Sequence, residues 1–226
     1  MQKAEAVRGA QAILLVTILS VLPMQSGFAN ATSYRLDPKE TMSSFELWVF
    51  GLIPVRGHFK RTTGTMSFDA ASKVGNIEVL IDTTSVEASS ARAEAAARGA
   101  DFFDVEKYPR MEFKSSRFVF EDGRLHSVEG VLTLKAKTQP VTLIVQNANC
   151  KVATAMDAAS CRAEATLSVK RSDFGMKAWS HSIGDHVTIR IAIVAVADAG
   201  ETNAKAAMPV SPGGSIEAPT LPSRAP

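Results

Sequence analysis

The sequence predicts a mainly β domain, an antiparallel barrel or sandwich interrupted by a single helix. Three observations predict it. Short segments alternate apolar and polar residues along much of the chain, the period of a half-buried strand. Turn residues separate these segments at short intervals. One stretch, residues 90–99, abandons the alternation and is rich in alanine, the strongest helix former.

Length and composition set the frame. A chain of 226 residues accommodates one domain with extensions. With 46% hydrophobic and 21% charged residues it has an ordinary globular mix, able to bury a core of its own. The formal charge of +2 gives no argument for an anionic membrane surface or for nucleic acid, and nucleic acid is not an expected partner.

Residues 1–31 read as a signal peptide. Lys3 and Arg8 form a weakly basic start, diluted by Glu5. Residues 12–22 are an apolar run, shorter than the roughly 20 residues a membrane-spanning helix needs. Ala29-Asn30-Ala31 is a small-residue cleavage site, and Gly27-Phe28-Ala29 offers a second. The expected location is therefore periplasmic or secreted, with no membrane span left after cleavage.

The domain is expected over residues 32–197. Tyr34-Arg35-Leu36-Asp37-Pro38 reads as a first strand stopped by proline. In residues 44–50, Phe45, Leu47 and Val49 share one face, and Gly51 and Pro54 mark a turn. Residues 55–60 alternate strictly, with Val55, Gly57 and Phe59 inward and Arg56, His58 and Lys60 outward. Residues 64–69 and 76–82 repeat the period of two. The helix follows at 90–99. Glu94 and Arg98 form a pair at the favoured spacing, and Gly99 suits a helix end. So short a helix is marginal alone and must dock on something.

Residues 100–116 organise the rest. Asp101-Phe102-Phe103-Asp104 is a short aromatic plug, Tyr108-Pro109 a break, and Met111-Glu112-Phe113-Lys114 the start of a strand. Strand patterns continue at 117–120, 127–134, 141–145, 163–169 and 187–193. Residues 198–226 are rich in Ala, Pro, Gly and Ser without periodicity and read as a disordered tail.

Export permits disulfides. Cys150 and Cys161 flank a loop between two strand-like runs, so a disulfide clipping a long hairpin is the simplest reading. Closing such a loop contributes about 3 kcal/mol in the chain-entropy model. The spacing fits neither a zinc site nor a C-x-x-C redox pair.

Four blocks together resemble the YceI-like family of exported, lipocalin-like proteins that bind polyisoprenoids and related lipids. They are Phe45 with Val55-Arg56-Gly57-His58-Phe59; residues 101–109 with Phe113-Lys114-Ser115; residues 129–134; and Lys170-Arg171-Ser172-Asp173-Phe174-Gly175-Met176. The resemblance spans residues 34–196. It implies an eight-stranded antiparallel barrel with an apolar interior and a short capping helix. Members are often dimeric, so a homodimer is among the expected states. This chain departs from the family in two places. Val49 stands where a histidine is frequent, and Ala93-Glu94-Ala95-Ala96-Ala97 replaces a more charged helical run. Head-group contacts from those positions are not carried over.

A barrel of this size is just wide enough to be filled by side chains or to hold one slender ligand. Each buried CH₂ contributes about 0.8 kcal/mol, so a long apolar tail needs few polar contacts. The candidate lining is Phe45, Leu47, Val49, Phe59, Ile77 and Val79 in the first half, and Phe113, Leu132, Leu143, Leu167, Ile189 and Ile191 in the second. Phe102 and Phe103 are placed to close the mouth. The competing reading is that all of these simply fill the core.

Catalytic signatures are sparse. No nucleophile elbow, phosphate-binding loop, H-E-x-x-H or dinucleotide fingerprint occurs. His181, Asp185 and His186 cluster in sequence, either for metal or acid–base work or as a polar loop. Asp101 and Asp104 are a second carboxylate pair, equally suited to a turn. Arg171 and Asp173 look like a salt bridge at a strand end, or a structural lock of the family, more than a catalytic pair. The expectation is a lipid-binding protein with no catalytic residue, metal or cofactor. It would hold a polyisoprenoid, isoprenoid quinone or similar amphiphile as carrier, buffer or stress sensor. The alternative is an exported hydrolase or isomerase acting on a small apolar substrate.

Overall fold

A computed structural model describes residues 31–154 and 157–198. The expected signal peptide and tail lie outside them, apart from Ala31 and Asp198. The described residues form eleven strands and one α-helix. The strands are β1 (Thr32–Leu36), β2 (Met42–Val49), β3 (Ile53–Phe59), β4 (Thr62–Asp69), β5 (Val74–Asp82) and β6 (Val86–Ala88). Helix α1 (Ala91–Arg98) follows, then β7 (Arg110–Glu121), β8 (Arg124–Leu134), β9 (Lys137–Lys151), β10 (Ser160–Lys170) and β11 (His186–Ala197).

These make a closed, eight-stave antiparallel barrel, because six of the strands are halves of three staves. β1 and β2 run in line against β11, with Leu36 opposite Ala195 and Phe45 opposite Ile189. β3 and β4 run in line against β2 and β1. β5 and β6 pair with β4 and β3. β7 to β11 then follow as a meander, and β11 closes the ring.

The three divided staves break beside one another, and side chains seal each break. Thr41 Oγ1 donates to the Val194 carbonyl. The Arg61 N–H donates to Ser85 Oγ at 3.0 Å, and Thr83 Oγ1 donates to the Tyr108 carbonyl at 2.7 Å. Asp82 caps the 3-10 turn at Thr83–Ser85 by accepting the Thr84 N–H. Burial pushes the Asp82 carboxyl up, but bonds from the Thr84 hydroxyl, Arg61 and the Thr84 N–H outweigh it and hold the group below the usual range.

Among the described residues β6 pairs only with β3, so the wall between the third and fourth staves is unpaired at that end. Helix α1 packs against β6, and residues 99–109 cross to β7. Ser90 caps α1 by accepting the Ala93 N–H at 3.2 Å. Gly99 is its C-cap in extended backbone, φ −70°, and the Arg98–Glu94 pair forms at 3.4 Å. This end of the barrel is its mouth. Thr32, Ala197, Lys151 of β9 and Ser160 of β10 lie at the other end, where Cys150 and Cys161 are bonded across the two strands.

Gly57 is required by a close approach. It faces Phe45 across β2 and β3, and a Cβ there would lie 2.3 Å from the Phe45 ring. The missing side chain lets that ring lie flat against the wall.

Candidate ligand-binding site

Inward residues near the mouth surround a cavity of about 550 Å³. On most contributing staves the lining stops at a similar depth, while on β3 it reaches one pair deeper, to Phe59 opposite Ser43. Phe45, Leu47 and Val49 of β2 line it, but Ser43 does not. β7 contributes Met111 but not Phe113, and β8 contributes Leu134 but not Leu132. β10 contributes Val169 but not Leu167, and β11 contributes Val187 and Ile189 but not Ile191.

Phe103 packs edge-on against Phe45 and Phe59, with ring centroids 5.5 and 5.3 Å apart. Phe45 and Phe59 are themselves 5.6 Å apart, so three rings form one aromatic cluster on the cavity wall. The geometry suits mutual edge-to-face packing. Phe102 lines the cavity beside it.

Of the candidate lining residues, Phe45, Leu47, Val49, Phe59, Phe102, Phe103 and Ile189 are on the cavity wall. Ile77, Val79, Phe113, Leu132, Leu143, Leu167 and Ile191 are buried in the core and are not part of that wall. Sequence reasoning did not select Ala93, Ala96 and Ala97, which α1 turns toward the cavity at helical spacing. That spacing was a usable signal. Phe50 and Trp179, in turns, and Ile183, in an isolated bridge, were also missed, because a period of two assigns no face there.

Arg171 is the buried charge of the site, 2% exposed. The expected salt bridge with Asp173 is absent; Asp173 is exposed on the 3-10 turn Arg171–Phe174. The guanidinium instead donates to four backbone carbonyls, those of Gly184, Met176, Ala178 and Ile183. It lies 5.9 Å from the Phe102 ring centre. Arg171 thus ties residues 176–184 down as part of the cavity wall, its desolvation offset by well-placed acceptors.

Asp185 holds the base of the same loop. It accepts the Ser172 N–H at 3.0 Å and the Ser172 hydroxyl at 2.8 Å. Burial pushes its carboxyl up, but the Ser172 bonds and the Arg171 and His186 charges hold it below the usual range. Its cluster mates His181 and His186 are exposed, and among the described residues no group of three His, Cys, Asp or Glu side chains is placed to hold a metal. Asp101 is exposed, and Asp104 serves a turn, its carbonyl accepting the N–H groups of Lys107 and Tyr108.

The YceI-like domain family matches residues 34–195, nearly the whole barrel. The chain belongs to the YceI-like family. This YceI-like chain is 34% identical over 133 residues to the protein YceI of Escherichia coli O157:H7, covering 58% of the chain and 69% of that protein. A UPF0312 protein of Vibrio cholerae is 32% identical over 118 residues, covering 51% and 62%. Among solved structures, Burkholderia cenocepacia BcnA aligns with a TM-score of 0.59 at 26% identity, over 70% of this chain and 98% of BcnA. A polyisoprenoid-binding domain from Saccharophagus degradans, implicated in plant cell wall breakdown, aligns at 0.53 and 14% identity, over 74% and 99%. The latter shares the fold.

Proposed function

We propose that this YceI-like chain is an exported lipid-binding protein. It holds the apolar chain of a polyisoprenoid, isoprenoid quinone or similar amphiphile in the mouth half of the barrel, as a carrier, buffer or sensor. The observation that carries the reading is the apolar cavity of about 550 Å³, within the range of small-molecule sites. The polyisoprenoid-binding domain with the same fold supports the ligand class. The Cys150–Cys161 disulfide supports export to an oxidising compartment.

Binding is favoured over catalysis by the chemistry of the lining. Its side chains capable of polar contact are Ser90, Arg92, Arg171, Ser182 and the Trp179 indole. They include no carboxylate, histidine or cysteine for acid–base or thiolate work. Mass spectrometry of organic extracts from the purified protein tests the reading. A co-purifying long-chain lipid supports it. Empty extracts, together with no binding of added prenols or quinones, overturn it.

A further inference from the structure

We propose that the rim of the barrel mouth docks on the surface of an anionic lipid bilayer. Five large apolar side chains are exposed there: Trp48 at 44%, Phe50 at 67%, Leu52 at 80%, Ile53 at 58% and Trp179 at 65%. They come from two segments, the β2–β3 hairpin and the loop before β11, locked together by backbone bonds. The Phe50 N–H donates to the Ser182 carbonyl at 2.6 Å, and the Gly184 N–H to the Trp48 carbonyl at 2.8 Å. Val49 and Ile183 form a bridge between the segments. The patch is preformed.

Its backbone is also unusual. Phe50 and Trp179 have φ of 52° and 58°, a left-handed conformation that is uncommon for bulky residues. Turns of that kind normally take Gly, Asn or Asp. Here two aromatics occupy them and stay largely exposed, so core burial does not explain the choice. Both also line the cavity. The exposed patch and the proposed ligand's entrance are therefore one surface.

The charge of the rim selects the partner. The segments 48–55, 88–93 and 176–183, which carry the patch and the start of α1, contain Arg92, Lys177 and His181 and no carboxylate; Glu94, Asp101, Asp104 and Glu106 lie beyond them on the helix and the aromatic plug. Arg92 and Lys177 are exposed, and neither has a carboxylate partner among the described residues. Exposed tryptophans with two unpaired cations on the neighbouring segments match the headgroup region of an anionic membrane, where indoles partition and basic side chains are attracted. A second copy of this chain would bring the same cations together and is disfavoured by that repulsion. The inference concerns the rim, so it survives if the cavity ligand proves to be something other than an isoprenoid.

The test uses a convenience of the chain: its two tryptophans, Trp48 and Trp179, are both in the patch. Full-length protein is mixed with vesicles of phosphatidylglycerol or of phosphatidylcholine, and tryptophan emission is followed with and without brominated lipid. The expected result is a blue shift and bromine quenching with phosphatidylglycerol. Replacing Arg92 and Lys177 with alanine should weaken partitioning by about fivefold per cation. L52S should reduce the blue shift while leaving the thermal melt intact. Vesicle association through the N-terminal segment alone would leave both indoles in water, and unshifted emission would overturn the proposal. A blue shift that rises with protein concentration in the absence of lipid would overturn it in favour of self-association.

Discussion

Lengthening a linear prenol one isoprene unit at a time should strengthen binding until the cavity is full and then stop. The cavity holds about 550 Å³. At about 30 Å³ per water-sized atom in a liquid, that is roughly 18 carbons, between three and four isoprene units. The floor does not yield, because Val79, Phe113 and Leu132 beneath it are only 2–4% exposed. Each buried unit of five carbons is worth up to about 4 kcal/mol in transfer terms. Ordering a flexible segment returns part of that. A net step of about 2 kcal/mol, roughly thirtyfold in Kd, is expected per unit below the limit. Competition against a fluorescent fatty-acid analogue measures the series. Affinity that keeps climbing by the same step well past four units would refute the volume argument. Failure of every prenol to compete would instead count against the isoprenoid reading itself.

The core and the cavity should respond differently to the same substitution. V79W, below the floor, should overpack and cost about 1–3 kcal/mol or more, while L47W, on the wall, should fold and lose ligand affinity; equal melts for both would remove the distinction. Replacing Cys150 with serine should lower stability by about 2–3 kcal/mol in denaturant unfolding, and free-thiol titration of the unreduced protein should find none. The folded Asp185 carboxyl titrates below its unfolded value of about 3.9, so its contribution is fully present above that pH and is lost as pH falls through the folded value. The Tm gap between wild type and D185N should therefore persist at neutral pH and close in acid, and a gap that widened in acid would contradict the assignment.

Strand positions were legible because one face of nearly every stave is buried. Val55, Gly57 and Phe59 alternate with Arg56, His58 and Lys60, and the barrel follows that pattern. Strand lengths were harder to read. Residues 111–114 and 117–120 looked like separate strands, yet β7 runs unbroken through both. A register shift between Ser115 and Arg117 moves the apolar residues from odd positions, Met111 and Phe113, to even ones, Phe118 and Phe120. A bulge has that effect on a period of two. Alternation marks only residues 141–145 of the fifteen-residue β9, whose second half is exposed and polar while still paired to β10.

The site was legible in direction and not in depth. Alternation says that Leu132 and Leu134 point inward, but not that Leu134 meets a cavity while Leu132 meets packed core. Depth along the barrel depends on where strands from distant parts of the chain fall in register, such as Phe45 opposite Ile189. That is a property of the closed ring and no short window contains it. Arg171 shows a second limit. Its sequence neighbour Asp173 offered an obvious charge partner, and opposite charges two residues apart invite that reading. The 3-10 turn, closed by Gly175 at φ 82°, leaves Asp173 in solvent and the guanidinium among four carbonyls. Backbone acceptors carry no side-chain signature. A buried arginine whose partners are carbonyls of a folded-back loop therefore becomes visible only once that loop has a shape, and here the loop supplies both a cavity wall and Trp179 on its rim.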